Sequence, residues 1–262
     1  GPDAVETLPL REAAGRVLAA PVTSQIAVPG WDNSAMDGYA VRCADVIASQ
    51  ATGGTAAGAL PVSQRIPAGV APIPLAPGSA ARIFTGAPLP AGADAVVVQE
   101  VCRRDGDRVV IDGQVEPGAN IRRAGEDIAR DARILEPGIR LGPQHLALAA
   151  SVGVATLPVY RRLRVAIFAS GDELVMPGEP LAPGKIYNSN LFSLRALLQR
   201  LDCDIIELGE VPDDLEATVA ALARGADQAD VILSSGGVSV GEEDHVKPAV
   251  EPRIQQRRVF SA

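Results

Sequence analysis

The chain of 262 residues is 47% hydrophobic and 21% charged, which is typical of a globular protein with one large domain or two to three smaller ones. Its formal net charge of −8 leaves no basic face for a general role in nucleic-acid binding. No apolar run reaches the length of a membrane span, and the N-terminus lacks a secretory pattern. We therefore expect a cytoplasmic protein with no membrane segment. Its three cysteines have no metal-type spacing and should be reduced.

The first elements surround a polar stretch at residues 31–40. Five apolar residues before it follow helical spacing and predict a short amphipathic helix that ends at Pro21: Leu10, Ala13, Ala14, Val17 and Leu18. Asp32 and Asn33 are typical of a turn that leads into a strand at 39–42. Asp37 is followed by a glycine that opens the local surface, so we select it as a candidate functional residue.

A β-rich module follows, with predicted strands at 61–66, 80–84, 95–98, 101–104 and 108–111. The last two flank Asp105-Gly106-Asp107, which is typical of a hairpin turn. Thr85 and Gly86 directly follow the strand at 80–84, and the nearby prolines would fix the threonine hydroxyl in place. The alternative is a proline-stabilised connection between two strands that has no functional role. Arg122 and Arg123 either contact phosphate or form internal ion pairs. A further helix is predicted from Pro143.

From residue 164 the pattern changes to strands that alternate with helices. Strands are predicted at 165–168, 205–208 and 231–233, with helices at 191–201 and 215–226. This alternation favours a parallel, doubly wound sheet, and such sheets bind ligands beyond the carboxyl ends of their strands.

The loops after these three strands are rich in acidic residues and glycine, at 170–173, 209–214 and 234–244. Glycines at a strand end let backbone N–H groups approach an anion closely. Carboxylates gathered at one sheet edge would repel one another unless a cation lay between them, and Mg²⁺ prefers such oxygen ligands. The pattern predicts a metal-and-phosphate site; the alternative is that the acidic residues cap the next helix.

Five motifs in the chain resemble the molybdopterin molybdenumtransferase family. They are Asp-Asn-Ser-Ala-Met-Asp-Gly-Tyr-Ala at 32–40, Thr-Gly-Ala-Pro at 85–88, Gly-Glu-Asp-Ile at 125–128, Ser-Gly-Asp-Glu-Leu at 170–174 and Ser-Gly-Gly-Val-Ser-Val-Gly at 235–241. They occur in the family's order, and the resemblance extends from about residue 7 to about residue 250.

The resemblance implies an enzyme that binds adenylated molybdopterin, uses Mg²⁺ and molybdate, and releases AMP while the dithiolene sulfurs take the metal. Catalytic roles then fall on Asp37, Thr85, Glu173, Asp213 and Asp244, and the last three would also hold Mg²⁺. Substrate-binding roles fall on Asp127, Ser170, Gly171, Asp214, Ser235, Gly236, Gly237 and Ser239. The family's motif is compatible with either Asp213 or Asp214 as its acid.

The same resemblance implies a homodimer in which Asp37 and Thr85 of one subunit face the α/β domain of the other. Contact with a molybdopterin adenylyltransferase is a further expected interaction. The implied fold class is α/β plus β-rich: residues 1–32 and 127–162 form a discontinuous linking domain, 33–126 an inserted β-rich domain, and 163–262 an incomplete doubly wound α/β domain.

The sequence departs from the family after Val250, where Glu-Pro-Arg-Ile replaces the rest of the α/β domain and a small C-terminal β-domain. We therefore expect a C-terminally truncated member that binds its substrate weakly and releases little AMP. Two alternatives stay open. One is a molybdopterin adenylyltransferase, which shares a Ser-Gly-Gly loop but lacks a counterpart of residues 1–162; the other is a non-catalytic pterin-binding scaffold.

Overall fold

The computed structural model describes residues 4–51, 59–236 and 245–250. The chain divides into two compact units. Unit 1 comprises Gly1–Ala20, Glu136–Leu146 and Ala155–Ala262, and unit 2 comprises Pro21–Leu135 and Ala147–Val154. The three-domain division drawn from the sequence stays a prediction.

The strands are β1 Val5–Pro9, β2 Val22–Thr23, β3 Asn33–Ser34, β4 Gly38–Val41, β5 Ala59–Ile66, β6 Ala80–Ile83, β7 Ala95–Val98, β8 Cys102–Asp105, β9 Arg108–Ile111, β10 Ile121–Arg122, β11 Arg133–Leu135, β12 Thr156–Tyr160, β13 Arg164–Ser170, β14 Leu174–Val175, β15 Ile186–Tyr187, β16 Asp204–Val211 and β17 Val231–Ser235. The α-helices are α1 Cys43–Ala51, α2 Pro143–Ser151, α3 Asn190–Arg200, α4 Leu215–Gln228 and α5 Val246–Val250. None of the helices within the described ranges is long and apolar enough to cross a membrane.

Unit 2 is organised around a six-stranded sheet in the order β7-β4-β6-β5-β9-β8. Side chains alternate across the central strand β4, so that Tyr39 and Val41 enter one core and Ala40 enters another. Helix α1, which the sequence did not predict, packs Val46 into the first of these cores. The predicted strands and the Asp-Gly hairpin of this module are confirmed.

The predicted opening helix is wrong. Strand β1 instead pairs with β12, and only Leu10–Glu12 forms a 3-10 turn. Gly15 then adopts a left-handed φ of 77°, and Leu18 donates its N–H to the carbonyl of Ile139. Long-range pairing thus satisfies the backbone of this segment, and of the five apolar residues that suggested a helix only Ala13 and Leu18 are buried.

Unit 1 contains a parallel three-stranded sheet in the order β16-β13-β17. Leu191 and Leu198 of α3 pack against Val165 and Ile167 on one face. Helices α4 and α5 pack around Phe168 on the other face. Helices on both faces of a parallel sheet confirm the predicted doubly wound α/β arrangement, which together with the sheet of unit 2 gives the predicted α/β plus β-rich fold class.

Candidate functional site

The strand register brings the three predicted loops of unit 1 to one sheet edge. Ser170 at the end of β13 pairs with Val211 at the end of β16. Its neighbour Ala169 pairs with Ser235 at the end of β17. All three strands run parallel, as the sequence predicted, so their carboxyl ends lie side by side; residues 237–244 of the third loop lie outside the described residues.

Asp213 joins two of these loops through hydrogen bonds. Its Oδ1 accepts from the Ser170 hydroxyl at 2.8 Å, and its Oδ2 accepts from the Asp172 backbone N–H at 3.1 Å. The Asp213 N–H in turn donates to Asp172 Oδ1 at 3.2 Å. Ser170 is buried, and the Lys185 ammonium group donates to the Asp172 carbonyl. The Asp213 carboxylate therefore has one hydrogen bond on each oxygen, and it fixes the spacing of the loops.

Two glycines at this edge allow close approach of the backbone. A Cβ on Gly236 would lie 2.3 Å from the Ser170 carbonyl oxygen, and the residue has a φ of 97°. A Cβ on Gly171 would lie 2.7 Å from a carboxylate oxygen of Glu173. A larger residue at 236 would separate the loops after β13 and β17, so only glycine preserves this arrangement.

The structure separates the roles of the two adjacent acids that the sequence could not distinguish. Asp214 is the N-cap of α4, and its Oδ2 accepts from the Ala217 N–H at 2.8 Å. This bond satisfies one of the unpaired N–H groups of the first helical turn. Asp213 instead faces the loops of the sheet edge, which makes it the better candidate for a functional role.

The donor set at this edge consists of oxygen atoms, which suits Mg²⁺. The described residues contain no group of three or more His, Cys, Asp or Glu side chains placed to hold a metal ion. Asp244, the third predicted ligand, lies outside the described residues, as do Gly237 and Ser239. Each oxygen of Asp213 accepts one hydrogen bond and keeps a second lone pair, so Asp213 fits the predicted role. A Mg²⁺ site formed by Glu173, Asp213 and Asp244 stays a prediction.

Asp37 and Thr85, which were selected separately from the sequence, contact each other in unit 2. The Thr85 N–H and hydroxyl each donate to Asp37 Oδ1 at 2.8 Å. These two bonds, the N–H first, together with the charge of Arg82, lower the pKa of Asp37. Within the described part of the chain Asp37 Oδ2 has no hydrogen-bond partner, so one carboxylate oxygen is free to meet a ligand.

Gly38 permits the close strand packing beside this pair. A Cβ at this position would lie 1.9 Å from the carbonyl oxygen of Val97 on β7. The backbone of Asp37 is held on the same side, because its carbonyl accepts from the Gln99 N–H at 3.1 Å. The Asp-Gly pair therefore places a carboxylate at the end of a tightly packed strand.

The segment around Asp127 forms the internal ion pairs that the sequence left as one of two alternatives. Arg122 contacts Asp127 at 2.5 Å and Glu126 at 3.3 Å, and Arg123 contacts Asp32 at 2.6 Å. The hydrogen bond to Asp127 is the main reason that the pKa of Arg122 is raised. Since these groups are largely exposed, the pairs contribute little stability, but they orient the loop that carries Asp127.

Sequence reasoning missed the side chains that flank the Asp37–Thr85 pair. Arg82 lies over the rings of Tyr39 and Phe84, with its guanidinium carbon 5.2 and 4.6 Å from their centroids. Arg65 lies 4.6 Å from the Phe84 centroid. A signal was present: residues 82 and 84 alternate along a predicted strand that ends at Thr85, and alternating residues share a face.

The fold combines a β-rich region, which carries Asp37 and Thr85, with a parallel α/β domain, which carries Ser170 and Asp213 at its strand ends. These features define the class of protein. Two family models match the chain. The MoeA N-terminal region (domain I and II) matches residues 2–153, and a probable molybdopterin binding domain matches residues 166–261.

Curated relatives and a solved structure agree with these matches. The chain is 41% identical over 253 residues to the molybdopterin molybdenumtransferase of Haemophilus influenzae, which covers 95% of the chain and 60% of that relative. It is 44% identical over 244 residues to molybdopterin molybdenumtransferase 2 of Mycobacterium tuberculosis, covering 93% of the chain and 60% of that relative. A crystal structure of a molybdopterin biosynthesis MoeA protein from Pyrococcus horikoshii superposes with a TM-score of 0.84 at 33% identity, covering 95% of this chain and 62% of that one.

The chain belongs to the MoeA family, the molybdopterin molybdenumtransferases. It spans about 60% of the length of the curated relatives it matches. The resemblance drawn from its five motifs is confirmed at the level of the family. The alternative of a molybdopterin adenylyltransferase is not favoured, because a MoeA-type region matches residues 2–153.

Proposed function

We propose that the protein acts in molybdenum cofactor biosynthesis, where it inserts molybdate into adenylated molybdopterin and releases AMP. The observation that carries this proposal is the convergence of Ser170, Asp213 and Gly236 at one sheet edge, within the segment matched by the molybdopterin binding domain. The names of the curated relatives support the same activity.

The loops of unit 1 would bind the phosphate-bearing part of the substrate. Gly236 lets the backbone approach closely, and Ser235 lies directly before it at the end of β17. Backbone N–H groups in such a turn favour an anion. Asp213 would keep the loops at the correct spacing, because it is bonded to Ser170 and to the backbone of Asp172.

The reaction breaks the phosphoanhydride bond of the adenylate with water, so that AMP leaves and the phosphate stays on the pterin, while the dithiolene sulfurs take the molybdenum. Mg²⁺, held by Glu173, Asp213 and Asp244, would neutralise the charge of the pyrophosphate. Asp37 would contact the substrate through Oδ2, while Thr85 fixes its orientation through Oδ1. Asp127 would act beside Arg122 in binding the substrate.

We further propose that the active form is a homodimer, in which the Asp37–Thr85 pair of one subunit completes the α/β site of the other. Contact with a molybdopterin adenylyltransferase would deliver the adenylated substrate. Sedimentation at micromolar concentration tests the first of these interactions. A dimer is expected, and a monomer at all concentrations would contradict it.

The proposed function is tested by calorimetry with adenylated molybdopterin, with and without Mg²⁺, beside a molybdate-dependent assay of AMP release. We expect binding that requires Mg²⁺, and in the Asp213→Ala variant we expect weaker binding without loss of the fold. Binding of equal affinity by the variant would contradict the proposed site. Absence of any binding by the wild-type chain would contradict the function.

A further inference from the structure

Arg65 and Arg82 lie directly opposite each other on the neighbouring parallel strands β5 and β6. Both guanidinium carbons are 4.6 Å from the centroid of the Phe84 ring. Like charges in directly opposed positions destabilise a sheet. The Phe84 ring offsets part of this repulsion, because the negative potential over its face attracts each guanidinium group.

Within the described residues, neither arginine forms an ion pair. Arg82 donates to two neutral acceptors, the Gly38 carbonyl at 3.0 Å and the Gln99 side-chain oxygen at 2.6 Å. Arg65 is exposed, and its guanidinium group lies over the Phe84 ring. Most of the N–H donors of the two guanidinium groups therefore face no protein acceptor among the described residues.

Arginines in unit 1 show a different arrangement. A cavity of about 300 Å³ in unit 1 is also lined by arginines, but three of them are held by carboxylates. Arg16 contacts Glu6 at 2.5 Å, Arg161 contacts Asp230 at 2.6 Å, and Arg162 contacts Asp202 at 2.9 Å. These three arginines each have a carboxylate partner, whereas neither Arg65 nor Arg82 has one among the described residues.

The position of the pair links it to the candidate functional residues of unit 2. Thr85 directly follows Phe84, and Arg82 binds the carbonyl of Gly38, the residue after Asp37. The side chains of Arg65, Arg82 and Phe84 thus adjoin the Asp37–Thr85 pair. An anion held by both guanidinium groups would relieve their mutual repulsion. The charge of Arg82, which also lowers the pKa of Asp37, would offset the repulsion between that anion and the Asp37 carboxylate.

We propose that Arg65 and Arg82, oriented by Phe84, form a binding site for a tetrahedral oxyanion beside the Asp37–Thr85 pair. Guanidinium groups donate two parallel hydrogen bonds to such oxyanions, and two groups together neutralise a double negative charge. The identity of the oxyanion rests on the proposed function: it is either the molybdate to be inserted or a phosphate group of the adenylated substrate.

Calorimetric titration of the 262-residue chain at low ionic strength tests this site. The probes are sodium molybdate, inorganic phosphate and AMP, so adenylated molybdopterin and turnover are not needed. Replacing Arg65 or Arg82 by Gln should weaken binding about 10-fold or more, because charge-assisted hydrogen bonds are lost. Phe84→Leu keeps both charges and removes the ring, so a smaller loss of about 2- to 5-fold is expected.

Arg103→Gln is the matched control, because Arg103 is exposed on the edge strand β8 of the same sheet. It should bind the oxyanions like the wild type. Circular dichroism verifies the fold of each variant, and Arg65→Gln serves as the second test should Arg82→Gln disturb the strand. Saturable binding of molybdate alone assigns the site to molybdate, and binding of phosphate and AMP assigns it to the substrate.

Three results would overturn the site: no oxyanion binding by the wild type, wild-type affinity in both Arg65→Gln and Arg82→Gln, or an equal loss in Arg103→Gln. The last would show that the effect is only one of net charge. The proposed function fails separately, in the assay with adenylated molybdopterin. An oxyanion site could therefore stand without that function, and the function could stand without this site.

Discussion

The carboxylates of Asp37 in unit 2 and Asp213 in unit 1 have the same kinds of hydrogen-bond donor, a side-chain hydroxyl and a backbone N–H. Around Asp37 both donors come from Thr85 and bond to Oδ1. Around Asp213 the donors come from Ser170 and Asp172 and bond to different oxygens. The first carboxylate keeps Oδ2 available, whereas the second has a bond on each oxygen.

Asp213 therefore fixes the spacing of two loops in addition to its proposed role toward Mg²⁺, whereas Asp37 has one oxygen without a partner among the described residues. Thr85 is exposed and Ser170 is buried, so the first pair meets solvent and the second closes a junction between loops. Residue types alone do not reveal this difference, because Asp37 with Thr85 and Asp213 with Ser170 are both an acid near a hydroxyl. The distribution of donors over the two oxygens does distinguish them.

The largest effects should come from the glycine that supports each carboxylate. Gly236→Ala and Gly38→Ala would place a Cβ 2.3 and 1.9 Å from a backbone carbonyl oxygen. We expect each to lower the free energy of unfolding by about 4 kcal/mol, from overpacking at both positions and, at residue 236, from the left-handed φ of 97° as well. Gly30→Ala is the control, since its nearest atom would be 3.8 Å away. Urea unfolding followed by circular dichroism measures all three, and a small loss at 38 or 236 would contradict the close approach.

The opposite end of the parallel sheet offers a carboxylate that is purely structural. The Asp230 side chain is 6% exposed, it contacts Arg161 at 2.6 Å, and it accepts from the Arg164 N–H. Asp230→Ala would leave Arg161 without this partner and should cost about 3 kcal/mol of stability. The exposed pair Arg195–Glu207 is the control, and Glu207→Gln should change stability by less than about 1 kcal/mol.

The same ion pair predicts a dependence of stability on pH. The hydrogen bond from Arg161 is the main reason that the pKa of Asp230 is lowered from 3.8 to about 2. A lowered pKa stabilises the fold above pH 4, and this contribution is lost as the pH falls through about 2. Unfolding of the wild type and of Asp230→Asn, compared between pH 5 and pH 2, measures it. An equal slope in both proteins would contradict the role of Asp230.

Asp213 and Asp214 form the next test, with smaller effects. Asp214→Ala removes the N-cap of α4 and should cost about 1 kcal/mol of stability while ligand affinity stays unchanged. Asp213→Asn keeps the shape of the side chain but removes its charge and one of its two acceptor oxygens, so we expect a loss of about 1 kcal/mol of stability and weaker binding of adenylated molybdopterin. Chemical unfolding and calorimetry on both variants measure the contrast. Reversed results would assign the functional acid to Asp214.

The smallest change in stability is expected for Asp37→Asn. An amide oxygen can still accept from the Thr85 N–H and hydroxyl, so the melting temperature should fall by less than about 2 °C. Molybdate insertion, measured as AMP release in a protein that turns over, should fall markedly because a neutral amide NH2 group, a donor, replaces the charged acceptor Oδ2. A lower melting temperature with full activity would show that Asp37 is only a turn residue.

The elements that were predicted correctly have strong local signals. The strand at 95–98 is a run of Val and Ala, and the hairpin at 105–107 has Asp-Gly turn chemistry, so both follow from neighbouring residues. The opening helix failed because β1 pairs with β12, about 150 residues away, and no local pattern reveals that partner. Helix α1 was missed because its composition of Ala, Ser and Gln carries little periodicity.

The candidate site shows the same limit. Thr85 and Asp37 could each be selected from a turn motif, but the bond between them joins residues 48 positions apart. The stacking of Arg65 and Arg82 on Phe84 depends on the register of β5 and β6, which is set by the whole sheet. Sequence reasoning therefore found the acids and glycines, and it could not find how donors are shared between their oxygens.

The most direct test of the contrast between Asp37 and Asp213 is a hydrogen–deuterium exchange measurement on wild type and Asp213→Ala. If Asp213 positions the loops, its loss should speed exchange at the amide of Asp172, which donates to the Asp213 carboxylate, and at the amide of residue 213, which donates to the Asp172 carboxylate. The Thr85 amide, which donates to Asp37, should stay protected. Asp37→Ala should speed exchange at Thr85 alone. Unchanged exchange at Asp172 in Asp213→Ala would contradict the positioning role of Asp213.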